Sequence, residues 1–179
     1  MTQTQKDRDA LREWAVFYES GLRRQNSDVN LTQAQIAKDR TRLEADPIEW
    51  IRFFFPEYCK FEFAEFQIKA IRRCIKHEEW FEVLSWARGL AKSTTVMFIV
   101  IYLALTKKKC NVMMASATQD SAVRLLDPYK KQLEENALIR AYYGVQVNLG
   151  NWCAEEFVAK CGCSFRAVGA GNAPRGSRN

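Results

Sequence analysis

Apolar residues recur at three- and four-residue steps through residues 7–25, at Leu11, Trp14, Ala15, Tyr18 and Leu22. That period predicts an amphipathic helix, interrupted by the polar run 26–30. Thr32-Gln33-Ala34-Gln35 has the spacing of a capping box and predicts a second helix to about Leu43. Asp46-Pro47 supplies an N-cap and a proline at the first helical position. A third helix therefore runs from Ile48 through Phe55 and stops near Pro56. Its aromatic density reads as core rather than as a ligand site. A fourth helix covers roughly Ala64 to Glu78, with Phe66, Ala70, Ile71, Cys74 and Ile75 facing inward.

The pattern then changes. Trp80-Phe81-Glu82-Val83-Leu84 is β-like, and Thr95 to Leu105 is an apolar helix closed by Lys107-Lys108-Lys109, whose charge suits a helix C-terminus. Cys110 to Ala115 reads as a buried strand, and Ser116-Ala117-Thr118 leads into a long helix from Gln119 to Glu134. Residues 136–143 form a short helix ending at Gly144. Phe157-Val158-Ala159 and Ser164 to Val168 read as a hairpin joined near Cys161-Gly162. The segment 169–179 is loop-like, and no internal repeat is visible. Strands alternating with helices give an α/β class.

The junction between the β-like run and the apolar helix carries the chemistry. Ser85-Trp86-Ala87-Arg88-Gly89-Leu90-Ala91-Lys92-Ser93-Thr94 places Lys-Ser in a tight loop opening a helix. Such a loop cradles a nucleoside triphosphate, because its amides and the helix N-terminus present positive charge to phosphate oxygens. Lys92 would meet the outer phosphates, and the Ser93 hydroxyl would ligate Mg²⁺. Against the pattern G-x-x-x-x-G-K-[ST], Trp86 replaces the first glycine and Ala91 the second. The change at Ala91 is the more serious, since glycine lets a backbone turn closely around phosphate. The competing reading is an ordinary turn with Lys92 solvated.

Composition narrows the classes. A length of 179 residues suits one domain, and the net charge is +6. The excess is local, since residues 86–179 carry 13 basic and 6 acidic side chains. A basic half downstream of a phosphate loop suits polyanions, although a solvated basic surface has the same composition. The polar, mixed-charge start shows no secretory signal, and the run Val96 to Leu105 is too short to span a bilayer. The six cysteines are scattered, and Cys161-Gly162-Cys163 lacks zinc-knuckle spacing with the only histidine, His77, far off in sequence. Reduced thiols in a cytoplasmic protein are the expectation.

Phe63-Ala64-Glu65-Phe66-Gln67, Trp86 to Thr94, Ala115-Ser116-Ala117-Thr118 and Pro174-Arg175-Gly176-Ser177-Arg178 occur in that order. From about Asp46 to the last residue the chain resembles the N-terminal part of a tailed-bacteriophage terminase large subunit, the ATPase that packages DNA into procapsids. The resemblance implies a helical extension at residues 1–45 and, at 46–179, the beginning of a P-loop ATPase domain. That domain's sheet would hold a phosphate-loop strand, a second parallel strand and the hairpin. It implies ATP and Mg²⁺ held by Ala87, Arg88, Gly89, Leu90, Ala91, Lys92, Ser93 and Thr94, with Gln67 reading adenine through its amide. Arg88, four residues before Lys92, matches an arginine that would stabilise the γ-phosphate, and Arg88 and Lys92 are the candidate catalytic pair. Phe63 or Phe66 would stack on the base, unless both are core. Ser116 and Thr118 would touch DNA backbone, or Thr118 simply caps the next helix. Arg175 and Arg178 would meet phosphate or a neighbouring subunit, or are plain loop charges. The implied partners are double-stranded DNA, the small terminase subunit, the portal of the procapsid and further copies in a ring, in the cytoplasm of a bacterial host and without a membrane.

Hydrolysis in this class needs an apolar strand ending in Asp then Glu, to hold Mg²⁺ and activate water. Downstream of Lys92 the adjacent acids are Glu134-Glu135 and Glu155-Glu156, and neither has an apolar lead-in. The chain therefore reads as an incomplete terminase that ends before its acidic strand. The expectation is a phosphate-loop strand without ladder partners, weak nucleotide binding, negligible hydrolysis and a tendency to aggregate. Two alternatives stay open: part of a helicase-like or other DNA-translocating ATPase, or a non-enzymatic basic module that binds DNA or protein.

Overall fold

A computed structural model describes residues 32–170. The helix expected over 7–25 and the arginines Arg175 and Arg178 lie outside the described residues. Among the described residues the chain is mixed α/β, with six helices and one three-stranded sheet.

The first two helices form as their N-cap side chains dictate. Helix α1 spans Gln33–Ala45, and the Thr32 hydroxyl accepts from the Gln35 amide while the Gln35 side chain accepts from the Thr32 amide. Helix α2 spans Pro47–Phe54, and the Asp46 carboxylate accepts from the Ile48 amide at 2.9 Å. Helix α3 spans Glu65–Lys76, slightly shorter than expected. Ala70 and Ile71 are buried on it, but Phe66 faces outward and packs edge-on against Trp86 at 4.9 Å. The inward assignment of Phe66 is therefore corrected, while Ala70, Ile71, Cys74 and Ile75 keep the expected inward face.

Helix α4 spans Lys92–Leu105 and is nearly all apolar because it is packed on several sides. Its C-terminal groups are met by the Lys108 and Lys109 amides, which both donate to the Leu103 carbonyl. The strand β1 spans Asn111–Ser116, and helix α5 follows at Gln119–Glu135, with Thr118 capping it through Ser121. Helix α6 spans Ala137–Tyr143 and ends at Gly144, as expected. The strands β2, Glu156–Val158, and β3, Ser164–Gly169, form the expected antiparallel hairpin. The sheet order is β1-β3-β2, with β1 parallel to β3 in the register Asn111↔Ser164 through Ser116↔Gly169.

The β-like run Trp80–Leu84 joins no ladder among the described residues, so the expected lack of ladder partners holds while the strand expected in the sheet does not form. The second strand is not continuously buried: Asn111, Met113 and Ala115 are exposed while Val112, Met114 and Ser116 are half-buried. β1 packs one face on α5 and leaves the other to solvent, which gives this alternation.

The core is largely aromatic. Trp50 is fully buried among Phe54, Phe55, Tyr102 and Tyr143, with ring centroids 4.7–6.4 Å apart. Its polar atom is satisfied: the indole N–H donates to the Tyr143 hydroxyl at 2.8 Å, and that hydroxyl donates to Glu44 at 2.7 Å. The Tyr102 hydroxyl donates to the Glu44 carbonyl at 2.7 Å, tying α4 to the end of α1. Burial, the largest cause, pushes the Tyr143 phenol well up and keeps it a neutral donor. The aromatic helix α2 is thus core, as its composition implied.

Gly169 closes β3 against the start of α5. A Cβ there would lie 2.5 Å from the Gln119 backbone nitrogen. The Gly169 amide donates to Gln119 Oε1 at 2.9 Å, and Gln119 Nε2 donates to the Ala167 carbonyl at 3.2 Å.

Candidate functional site

The loop 85–94 turns through two left-handed residues, Gly89 at φ 89° and Ala91 at φ 53°. Ala91 adopts the conformation that glycine takes in the usual pattern, and it is the N-cap of α4 without offering a side-chain acceptor. The first intrahelical amide bond is Thr95 N–H to the Ala91 carbonyl at 2.9 Å, doubled by the Thr95 hydroxyl at 2.9 Å. Among the described residues, no protein group accepts from the amides of Lys92, Ser93 and Thr94. Three donors and the positive end of a 14-residue helix therefore point outward together.

They point toward a cleft of about 630 Å³. Lys92, Ser93 and Thr94 line it beside Glu82 and Leu84 from the extended run, Met114 from β1, and Arg124 and Tyr129 from α5. That volume falls within the roughly 300–1,000 Å³ common for small-molecule sites. A second concavity, about 480 Å³, lies between the end of α2 and the α5–α6 junction, around Pro56, Gln132 and Asn136. It holds neither a lysine nor an arginine.

The structure thus brings Lys92, Ser93 and Thr94 to one wall. Gln67 also reaches the loop: its Nε2 donates to the Leu90 carbonyl at 3.2 Å, while its Oε1 accepts from the Ala64 amide at 2.9 Å. In this state Gln67 links the start of α3 to the loop. Ala87, Arg88, Gly89 and Leu90 form the exposed outer turn and do not line the cleft. Phe63 is half-buried and packs edge-on against Phe98 at 6.4 Å, which is the core alternative. Thr118 caps α5.

Sequence reasoning missed three wall residues. Glu82 is held by Arg73, with contacts of 2.6 and 3.1 Å, and by the Trp80 indole N–H at 2.6 Å. The Arg73 bond, followed by that of Trp80, lowers the Glu82 carboxyl below its ordinary value. Tyr129 is buried, and burial pushes its phenol up to about 12. Arg124 is exposed at the rim. Glu82 lay within the β-like run and carried no motif. Arg124 and Tyr129 come to the site only through the docking of α5, which no local spacing reveals.

Among the described residues, no group of three or more His, Cys, Asp or Glu side chains is placed to hold a metal ion, and no helix is long and apolar enough to cross a membrane. Mg²⁺ bound with a triphosphate needs few protein ligands, because phosphate oxygens and waters supply most of its shell. The Ser93 hydroxyl at the helix start is compatible with that. Comparison with known proteins returned no matching family model, no matching curated protein and no matching solved structure.

Proposed function

We propose that residues 85–94 bind the phosphates of ATP with Mg²⁺, in a P-loop ATPase domain of the terminase type. The observation that carries this reading is the trio of unbonded amides at Lys92, Ser93 and Thr94, three residues that line one cleft. Phosphate oxygens are the acceptors such a trio lacks, and Lys92 adds the full charge. Ser93 is the residue that would share Mg²⁺, whose charge would offset that of the phosphates. Arg88, exposed on the outer turn of the same loop, is the residue that would meet the γ-phosphate.

The carboxylate on the cleft wall, Glu82, is tied to Arg73 and Trp80. It is therefore poorly placed to activate water, and binding rather than turnover is expected of this chain. The larger assignment rests on the ordered motifs and the basic downstream half. It is a DNA-packaging motor of a bacteriophage, acting in the host cytoplasm on double-stranded DNA with a small subunit, a portal and ring neighbours.

Titration with a non-hydrolysable ATP analogue and Mg²⁺ tests the reading. The wild-type chain should bind, and Lys92→Ala should weaken binding roughly 10- to 100-fold, the worth of one charged hydrogen bond. Circular dichroism would confirm that the variant is folded. Equal, salt-sensitive DNA binding by both forms, with no analogue binding by either, would replace the nucleotide reading with that of a basic DNA-binding module.

A further inference from the structure

Two of the six cysteines stand side by side at the N-terminal ends of β1 and β3, with Cys161 in the turn before β3. Cys110 immediately precedes β1 and Cys163 immediately precedes β3. The parallel register opens at Asn111↔Ser164, and the Ser164 amide donates to the Cys110 carbonyl at 2.8 Å, so the ladder reaches one residue further back. The Ser164 hydroxyl lies 2.6 Å from Asn111 Oδ1, which places those two side chains on one face. Strand alternation then puts Cys110 and Cys163 together on the other, the face of Val112 and Phe165. Neighbouring strands run about 4.8 Å apart, inside the roughly 4.4–6.8 Å Cα separation that a disulfide tolerates.

The two thiols differ in access. Cys110 is exposed, whereas Cys163 is 0% exposed and its thiol lies 3.6 Å from the carbonyl of Lys109, the residue before Cys110. Cys161 is half-buried in the intervening turn, its amide held by Gln146 Oε1 at 3.1 Å. Burial, with smaller contributions from Cys161 and Cys110, pushes the Cys163 thiol up to about 12, so it does not react with solvent oxidants by itself.

We propose that Cys110 and Cys163 are an oxidisable pair that closes to a cross-strand disulfide when a peroxide reaches Cys110. The peroxide takes two electrons from the Cys110 sulfur: an S–O bond forms, the O–O bond breaks, one water leaves and a sulfenic acid remains. The Cys163 sulfur then attacks the Cys110 sulfur. Its proton leaves with the displaced hydroxyl as a second water, and the S–S bond forms. Solvent need not reach Cys163, because its partner sulfur stands on the next strand. The product pins the start of β1 to the start of β3, and a thiol reductant reverses it.

The test uses the full chain, reduced, freed of reductant and exposed to excess hydrogen peroxide. Thiols titratable under denaturing conditions should fall by two from six, and peptide mapping should find Cys110 joined to Cys163. Dithiothreitol should restore all of them. Cys110→Ser and Cys163→Ala should each abolish the internal link, and Cys161→Ser should keep it. The wild-type map decides the matter even if a variant at the buried position folds poorly. A link at Cys110–Cys161 or Cys161–Cys163 would overturn the assignment. So would disulfides only between chains, or Cys110 carried on to sulfinic acid with Cys163 unchanged.

Discussion

Ala91 holds the most consequential single conformation. An alanine in the left-handed region costs about 1–2 kcal/mol relative to ordinary backbone, and here it is what aims the three amides outward. Ala91→Gly should therefore stabilise the chain by roughly 0.5–1 kcal/mol, read as a higher urea midpoint at unchanged slope, with analogue affinity kept or improved. Gly89→Ala should act oppositely, costing about 1 kcal/mol through its φ of 89° although no atom blocks the new methyl. At this scale the sequence was informative but incomplete. The Lys-Ser core and its helix start were legible. That Ala91 itself takes the glycine-like turn was not, because backbone sign is invisible in a residue that usually avoids it. The Gln67 bond to Leu90 was equally hidden, since it joins residues 23 apart.

At the scale of elements, capping chemistry is local and was readable. Thr32, Asp46 and Thr118 each start a helix with their own side chain. Strand pairing is not local. Trp80 to Trp86 shows the period of a strand, with Phe81 and Val83 86% and 70% exposed and Glu82 and Leu84 half-buried, yet it has no ladder. Its hold on α3 is the Arg73–Glu82 pair, together with the stacking of His77 on Trp80 at 4.7 Å and the edge-on contact of Phe66 with Trp86 at 4.9 Å. The Glu82 carboxyl titrates below its ordinary value, so this pairing contributes above the usual carboxylate range and is lost as pH falls through the lowered value. Limited proteolysis should show the segment 78–86 cut faster on acidification through that range. Glu82→Gln should be cut faster already at neutral pH and should lose that acid dependence. An equal cleavage rate in both forms would mean that the pair does not anchor the segment.

For the molecule as a whole, the aromatic cluster around Trp50 is the main keel. Trp50→Ala removes a fully buried ring and the donor to Tyr143, and should cost about 3–5 kcal/mol, measurable by thermal or urea unfolding. Alkali attacks the same interior. Cys163 rises from 9.0 to about 12 and Tyr129 from 10.0 to about 12 on folding, so the fold favours their neutral forms. Their contributions are complete below the unfolded values and are lost as pH climbs from about 9 toward about 12. Cys163→Ala should blunt the lower part of that decline. The α/β class and the hairpin were legible because turn residues and periodicity report them directly. The cleft was not, because its walls come from α4, α5, β1 and an unpaired run whose meeting is set by packing.

Gly169 shows how such packing is transmitted. Strand and helix backbones meet there with no room for a single added carbon, so residue 169 works as a shim of zero thickness. A methyl in that gap forces the strand or the helix to give way. Helix α5 carries Arg124, Leu125 and Tyr129 into the cleft, so a helix that yields at residue 169 would carry one wall of the chamber with it.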